Sequence, residues 1–566
     1  MRSTFLPAVA AALAIAPTPQ LFAQQAASPR PAERAADLIV TGARIYTVDD
    51  SRPTAEAMAV RDGRVLFVGS LRGAEALRGA KTQVIDATGR TVIPGMTDAH
   101  AHFLGLGQAL RTVDLVGTTS YDEVIARVVT RAKQVQPGSW IIGHGWDQND
   151  WGDTRFPTHD ALSRAVPNNP VLLERVDGHA YLVNAKAMQL ASVTKATPDP
   201  SGGRLERDST GTPTGVFVDN AQSLIDRVVP PPSGTELRAR ALAAIDEMHR
   251  WGLTGIHDAG EPRAVIELFE SLAKEGKLEL RTYVMVGDDS AALAYFFARG
   301  PQSALYDGRL WIRSVKLYAD GALGSRGAAL LEPYSDDPHN RGLLVSTPEH
   351  LESVAERALR AGFQVCVHAI GDRGNRVVLD AYEQALKAVP VADHRFRIEH
   401  AQIVNYDDIP RFAQLDVIPS MQAVHQTSDM YWAGSRLGAG REMGAYAWRS
   451  FLDEGMIVPN GSDFPVEGVN PLRSFHAAIS RQDERGWPPG GWHPEQKMTR
   501  EEALKSMTIW PAFASFMEKD AGSLTPGKFA DFVILDRDIM TVAPDEVLGT
   551  GVVSTWVAGK AVYTRR

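Results

Sequence analysis

The chain of 566 residues is too long for one small domain, and its composition, 44% hydrophobic and 22% charged, is that of an ordinary globular protein. Its formal net charge of −9 provides no basic surface of the kind that binds nucleic acid, so we expect no nucleic-acid partner. The single cysteine, Cys366, excludes an intramolecular disulfide and lies in an apolar run typical of a buried thiol.

The N-terminal segment 1–27 has a basic residue near its start, a short apolar, alanine-rich stretch and an end rich in small residues. This order is typical of a secretory signal peptide, because the apolar stretch is too short to span a bilayer. A disordered tail is the alternative interpretation. We therefore predict a periplasmic or secreted protein with no integral membrane segment in its mature form. Its oligomeric state, including a homo-oligomer, is left open.

Two segments near the ends of the chain, 35–93 and 515–566, contain β-branched runs punctuated by glycines and carry no candidate chemistry. Each segment is too small to close a hydrophobic core alone. We predict that the two segments combine into one small β-sandwich domain beside the central domain.

The central segment, 94–514, alternates apolar, strand-like runs with helical stretches, which is the pattern of parallel βαβ units. The ends of eight candidate strands are at His100/His102, His257, Val286, Lys316, His368, His400, Met421 and Asp463. This count predicts an α/β fold, a (β/α)8 TIM barrel, whose active site lies at the carboxyl ends of the strands. Residues 113–233 hold two further apolar runs outside this count, and we interpret them as an insertion after the first barrel strand.

Histidines and one aspartate stand at several of these strand ends. His100 and His102 are two residues apart, so the period of a strand puts both imidazoles on one face, where they can bind one cation. His368, His400 and Asp463 end three further strands. Each alone could be a hydrogen-bonded core residue or a helix cap, but their convergence on one barrel face favours a metal site.

Lys316 lies within an apolar run at the end of the fourth candidate strand, where a charged ammonium group is costly unless it is paired. Burial lowers the pKa of a lysine, and a neutral amine can take up carbon dioxide to become a carbamate that bridges two cations. An ion pair with Asp320 is the alternative interpretation.

The order His-x-His, Lys, His, His and Asp on strands one, four, five, six and eight resembles the amidohydrolase superfamily. The sequences at 316–326, 368–372 and 461–465 resemble its family-3 branch, which includes N-substituted formamide deformylase, and the similarity covers roughly residues 37–566. The resemblance implies one or two zinc ions, and two are favoured. It implies one ion held by His100, His102 and Asp463, a second held by His368 and His400, and carboxylated Lys316 as the bridge.

A cation held by neutral imidazoles lowers the pKa of its bound water to about 7 and so supplies hydroxide at neutral pH. Together with the resemblance, this chemistry predicts hydrolysis of a non-peptide carbon–nitrogen bond in a small-molecule substrate. Asp463 would take the proton of the water and return it to the departing amine. Lactone, ester or phosphoester hydrolysis on the same scaffold is one alternative, and a non-catalytic periplasmic binding protein is another.

Substrate-binding residues are predicted in the insertion. The resemblance places the loop around His179 near the reacting carbonyl. Trp146 lies in an aromatic, polar motif that could bind the substrate or only anchor its loop. The aromatic loops that contain Tyr431 and Trp487 indicate an apolar or aromatic group on the ligand.

Overall fold

The computed structural model describes residues 35–438 and 440–566, arranged around three β-sheets. The predicted signal peptide at 1–27 lies outside these residues. Within the described ranges, every helix is too short or too polar to cross a bilayer.

Strands from both ends of the chain form one sheet of eight strands. They are Leu38–Tyr46, Thr54–Arg61, Arg64–Gly69, Gln83–Asp86, Thr91–Pro94, Phe532–Leu535, Val552–Val557 and Lys560–Thr564. The strand Thr91–Pro94 joins the two ends, because it pairs in parallel with Leu38–Tyr46 and antiparallel with Phe532–Leu535. Val40, Val92 and Phe532 are fully buried in one apolar cluster, so the two ends of the chain share a single β domain.

The central sheet contains seven parallel strands that follow one another around a barrel. In order they are Met96–Ala101, Leu253–Glu261, Arg281–Gly287, Leu310–Tyr318, Gln364–Ala369, Arg397–His400 and Ile418–Ser420. A short strand, Gln302–Ala304, pairs antiparallel with the fourth. The eighth predicted strand is reduced to one parallel bridge between Met421 and Asn460. The backbone N–H of Asp463 nevertheless donates to His100 O at 2.8 Å, which closes the ring and confirms the predicted TIM barrel.

The second barrel strand is longer than the sequence pattern predicted. Its predicted end at His257 is wrong, since residues 258–261 continue to pair with the third strand. The next residue, Asp258, is buried and accepts a hydrogen bond from the backbone N–H of Phe103 at 2.9 Å. His257 itself lies within the barrel wall, where Arg397 donates to its Nδ1 at 2.9 Å.

Helices connect the strands, and most of them pack their apolar faces on the barrel in one large cluster. They are Leu71–Glu75, Phe103–Ala109, Tyr121–Ala132, His159–Ala165, Ala185–Leu190, Ser223–Asp226, Gly234–Arg250, Arg263–Lys274, Ser290–Arg299, Leu305–Gly308, Pro348–Ala361, Asp372–Ala388, Ile409–Gln414, Ala423–Asp429, Ala433–Leu437, Trp448–Asp453, Pro471–Ser480, Arg500–Ser506 and Ile509–Ala514. The helix Pro348–Ala361 shows how local residues set the ends of a helix. Thr347 caps its first turn, and Gly362, with a positive φ of 80°, ends it.

The insertion after the first barrel strand forms a sheet of its own with six strands. They are Val113–Asp114, Ile141–Trp146, Val171–Arg175, Ala180–Val183, Gly203–Arg207 and Pro213–Asp219. Only the second and third are apolar runs that the sequence reveals, because the others are short or interrupted by polar residues, glycine and proline. The sheet buries two apolar clusters of its own. Residues of the insertion also line the pocket at the mouth of the barrel.

Candidate metal centre

A pocket of about 1130 Å³ opens at the carboxyl ends of the barrel strands. Its walls come from the strand ends, from the insertion and from the loops that follow the last two segments of the barrel. The pocket is lined by all six side chains that the sequence predicted as metal ligands: His100, His102, Lys316, His368, His400 and Asp463. Residues more than 360 positions apart are therefore brought together by the closure of the barrel.

The histidines are packed closely around Asp463. The ring centroid of His400 lies 4.9 Å from that of His100 and 4.6 Å from that of His368. One donor atom each of His100, His400 and Asp463 lies within 4.8 Å of the other two, a spacing at which a single cation can contact all three. His102, the most exposed of the set, places its Nε2 atom 3.1 Å from Asp463 Oδ1.

Several polar atoms in this cluster are buried without a hydrogen-bond partner among the described residues. Asp463 Oδ1 and His368 Nε2 are two of them. His102 Nε2 approaches Asp463 Oδ1 to 3.1 Å, but the two atoms are not aligned as a hydrogen bond. Buried polar atoms are almost always paired, so lone pairs that converge in this way fit a cation between them. The combination of imidazole nitrogen and carboxylate oxygen suits an ion such as zinc.

Two buried side chains behind the cluster orient the histidine rings. Glu399 Oε2 accepts a hydrogen bond from His100 Nδ1 at 2.6 Å, and Gln422 Oε1 accepts one from His400 Nδ1 at 2.7 Å. Both bonds leave the lone pair on Nε2, the nitrogen then available to an ion. Arg397 donates to Glu399 at 3.0 Å and so compensates its charge.

Burial and neighbouring groups set the protonation of the candidate ligands. Burial lowers the pKa of His100, His368 and His400 well below the ordinary value, which keeps these imidazoles neutral, as ligation requires. For Asp463, burial alone would raise the pKa, but the neighbouring His102 and His100 outweigh it and hold the pKa below the ordinary value. The carboxylate of Asp463 is therefore ionised at neutral pH.

Lys316 is buried at the centre of the cluster, with Nζ 3.3 Å from His100 Nε2. Burial lowers the pKa of its amine. The alternative ion pair with Asp320 is not formed, because the Asp320 carboxylate accepts three backbone N–H groups at 2.8–2.9 Å instead. Within the described chain Lys316 makes no ion pair, which favours a chemical change of the amine over a simple structural role.

The backbone is strained at two of the candidate ligands. His400 has a φ of 76° and Asp463 a φ of 61°, both in the left-handed region that residues with a Cβ rarely adopt. Such conformations cost about 1–3 kcal/mol each and occur mainly where function requires a particular side-chain direction. Here they turn both side chains toward the pocket at the point where their strands end.

His179, which the resemblance predicts as a substrate-binding residue, lies at the edge of the cluster. It lines the pocket, and its ring centroid is 5.2 Å from that of His368. Its Nδ1 atom lies 2.7 Å from Asp219 Oδ1. Burial alone would lower the pKa of His179, but the bond to Asp219 and the charge of that residue raise it to about 9. The charge of Asp219 therefore favours the protonated imidazole of His179 beside the candidate ligands.

Trp146 does not bind in the pocket, so its predicted role as a substrate contact is wrong. Its side chain is fully buried in the core of the insertion and packs against Trp151 and Phe156, with centroids 6.1 and 6.3 Å away. The indole N–H donates to the backbone carbonyl of Leu173 at 2.9 Å. This hydrogen bond satisfies the polar end of the ring inside the core, so Trp146 anchors the loop that follows it.

His425 is a pocket residue that the sequence analysis missed. It lies in the helix Ala423–Asp429, after the seventh barrel strand, and so gave no strand-end signal. Its Nε2 atom is 3.9 Å from Asp463 Oδ2 and is buried without a hydrogen-bond partner in the described chain. The two oxygens of Asp463 therefore face different groups, His102 on one side and His425 on the other.

Replacing Glu399 by glutamine should weaken metal binding by a factor of about 10–100, the usual effect of losing a carboxylate behind a ligating histidine. The change removes the charge that fixes the His100 tautomer but keeps the shape of the side chain. Competition with a chromogenic chelator measures the affinity. The exposed Glu349→Gln variant serves as control and should bind metal like the unaltered protein. Unchanged affinity in a folded Glu399→Gln variant would show that Glu399 does not support the site.

Comparison with known proteins matches most of the chain to one family. A model of the amidohydrolase family matches residues 83–563. Protein LONG AFTER FAR-RED 3 of Arabidopsis thaliana is 35% identical and covers 94% of this chain and 92% of its own. Putative amidohydrolase YtcJ of Bacillus subtilis is 32% identical, covering 93% and 99%. N-substituted formamide deformylase of Arthrobacter pascens is 29% identical, covering 94% and 98%.

Among solved structures, an uncharacterized metal-dependent hydrolase from Pyrococcus horikoshii superposes with a TM-score of 0.73 at 28% identity. The superposition covers 90% of this chain and 99% of that one. The similarity therefore includes the β domain and the insertion as well as the barrel.

Proposed function

The chain belongs to the amidohydrolase family, and from this membership we propose that it hydrolyses a non-peptide carbon–nitrogen bond of a small molecule. The convergence of the six candidate ligands in one pocket carries the proposal. The relative named N-substituted formamide deformylase supports the choice of bond. We place the activity in the periplasm or outside the cell, because segment 1–27 has the pattern of a signal peptide.

We propose zinc as the ion, with His100, His102 and Asp463 holding one ion and His368 and His400 holding a second. When bound, such ions supply Lewis-acid activation of a water molecule and of the substrate carbonyl at neutral pH. Lys316 would bridge them as a carbamate, formed when its neutral amine adds carbon dioxide and releases one proton. The lowered pKa of Lys316 and its lack of an ion pair in the described chain support this modification.

The residues of the chain then have distinct tasks. The ionised carboxylate of Asp463 accepts the proton of the attacking water and returns it to the nitrogen of the departing amine as the carbon–nitrogen bond breaks. His179, held protonated by Asp219, donates a hydrogen bond to the carbonyl oxygen. A binding protein without catalysis has no use for this combination of a proton acceptor and a proton donor beside an ion site.

Ester, lactone and phosphoester hydrolysis remain the alternatives on this scaffold, and a matched substrate panel separates them. N-benzylformamide, N-benzylacetamide, benzyl formate, a lactone and benzyl phosphate present different bonds to zinc-loaded protein. We expect release of benzylamine from at least one amide and loss of that activity after removal of the metal by a chelator. Turnover of the oxygen esters without turnover of either amide would refute the proposed carbon–nitrogen specificity.

A further inference from the structure

The outer part of the pocket carries more negative than positive charge. Beyond the metal centre it is lined by Asp147, Asp150, Asp177, Asp429, Glu467, Asp483 and Glu484, with Arg175, Arg473 and Arg485 as the cationic residues. Arg175 is already paired with both Asp147 and Asp177, and Arg473 is paired with Glu484. The positive charges of this region are thus largely occupied by other carboxylates.

Four of these carboxylates, Asp150, Asp429, Glu467 and Asp483, form no ion pair within the described chain, and Asp483 accepts hydrogen bonds from the Tyr431 hydroxyl and two backbone N–H groups instead. Asp429 accepts hydrogen bonds only from the neutral groups of Tyr446 and Gln402, and Glu467 only from Ser428. Burial and the charge of Asp147 raise the pKa of Asp150 to about 6. Burial also raises the pKa of Asp429 and of Glu467. Burial outweighs the charges of Arg175 and Arg473 at these three carboxyl groups, and a cation bound beside them would favour their ionised form.

An aromatic wall stands beside these carboxylates. Tyr431 and Trp432 line the pocket, and Tyr431 stacks on Trp487 with ring centroids 4.8 Å apart and an interplanar angle of 9°. Tyr431 is 55% exposed and its hydroxyl donates to Asp483, so one face of the ring is fixed while the side chain stays accessible. Aromatic faces next to carboxylates are the usual means of binding an organic cation.

A second, independent sign of a ligand is the unpartnered Nε2 atom of His425. The residue is 8% exposed, lines the same pocket and places its Nε2 atom 3.9 Å from Asp463 Oδ2. A buried imidazole nitrogen without a partner costs free energy unless a ligand atom completes it. His425 therefore offers a free nitrogen atom within the pocket that the outer carboxylates also line.

We propose that the outer pocket binds an organic cation, an ammonium or guanidinium group, at the end of the substrate remote from the scissile bond. The substrate class is then an amide that also carries a positive charge. The proposal rests on the proposed function for the reaction, but the binding of the cation does not depend on turnover. An uncharged apolar or aromatic group, which the aromatic loops alone would accept, is the competing occupant.

Choline and 3,3-dimethylbutan-1-ol test the proposal, because they have nearly the same shape and differ in charge. Isothermal titration calorimetry on the zinc-loaded full chain gives both affinities without any hydrolysis. We expect choline to bind at least about fivefold more tightly than the alcohol, and salt to reduce this difference through screening. Equal affinities, or tighter binding of the alcohol, would overturn the proposal in favour of a purely apolar pocket.

The double variant Asp150→Asn, Glu467→Gln should bind choline about tenfold more weakly and the alcohol unchanged, since both lost charges face the cation. Asp545→Asn, an exposed position outside the pocket, changes the net charge without changing the pocket and should bind choline normally. Unchanged choline affinity in a folded double variant would refute the assignment. Weak choline binding would refute the cation site without affecting the proposed amide hydrolysis. Absence of amide turnover would refute the hydrolysis without affecting a measured choline affinity. The two proposals can therefore be refuted independently.

Discussion

Replacing Asp463 by asparagine should lower kcat by a factor of about 10²–10⁴ while the protein keeps most of its metal. Asparagine retains the shape and one coordinating oxygen but cannot accept a proton. The two oxygens of Asp463 make this separation feasible, because Oδ1 faces His102 at 3.1 Å and Oδ2 faces His425 at 3.9 Å. One oxygen can thus serve an ion while the other exchanges the proton.

The deciding measurement for Asp463→Asn is kcat at saturating zinc, with metal content determined on the same sample. A metal-replete variant that stays slow supports the proton transfer, whereas recovery to nearly the original kcat would eliminate it and leave Asp463 as a ligand only. Asp407→Asn, at an exposed position, is the matched control and should have the original kcat.

Replacing Lys316 by alanine should reduce activity by about 10² or more, because the bridging anion between the ions is lost and Lewis-acid activation is worth several kcal/mol. Acetate or propionate should restore part of this activity by occupying the space of the missing carbamate. The buried position of Nζ, 3.3 Å from His100 Nε2, provides a cavity for such an acid once the side chain is shortened.

Rescue of Lys316→Ala is measured as activity against the concentration of added carboxylic acid, with Lys519→Ala, an exposed lysine, as control. The control should keep its activity and should not respond to the acid. A crystal structure of the metal-loaded protein that shows Lys316 as a free amine would contradict the carbamate directly, whatever the outcome of the rescue.

Much of the metal centre could be predicted from the sequence because barrel geometry links position in a strand to position in the pocket. His100, Lys316, His368 and His400 all follow runs of apolar residues that read as buried parallel strands, and the polar residue at such an end lies at the carboxyl face. The pocket gathers these side chains, although their action as ligands stays a prediction. The sequence could not exclude an ion pair between Lys316 and Asp320, because only the structure shows that backbone N–H groups occupy the Asp320 carboxylate.

Contacts between side chains on different elements could not be predicted from the sequence. Glu399 precedes His400 in the chain, yet its partner is His100, which lies 299 positions away. His425 lies in a helix and so has no strand-end pattern. Trp146 lies in a strand of the insertion, and the direction of its side chain depends on the core of a sheet whose other strands the sequence mostly does not reveal. The two-residue period of a strand and the position of its end predict which side chains reach the carboxyl face of the barrel. The hydrogen-bond partner of a buried polar group, however, is set by elements that are distant in sequence.

The pairing of the two chain ends has a consequence for how the protein is made. Tyr46 donates a hydrogen bond to Asp538, 492 positions later, and the strand Thr91–Pro94 borders Phe532–Leu535. The N-terminal strands therefore leave the ribosome long before their partners, and contacts of such long range are slow to form. Met96–Ala101, which holds His100, almost directly follows Thr91–Pro94, whereas Asp463 comes late in the chain, so the six candidate ligands can come together only after Asp463 has been made. The sheet that joins the two ends of the chain can close only later, when Phe532–Leu535 has been made.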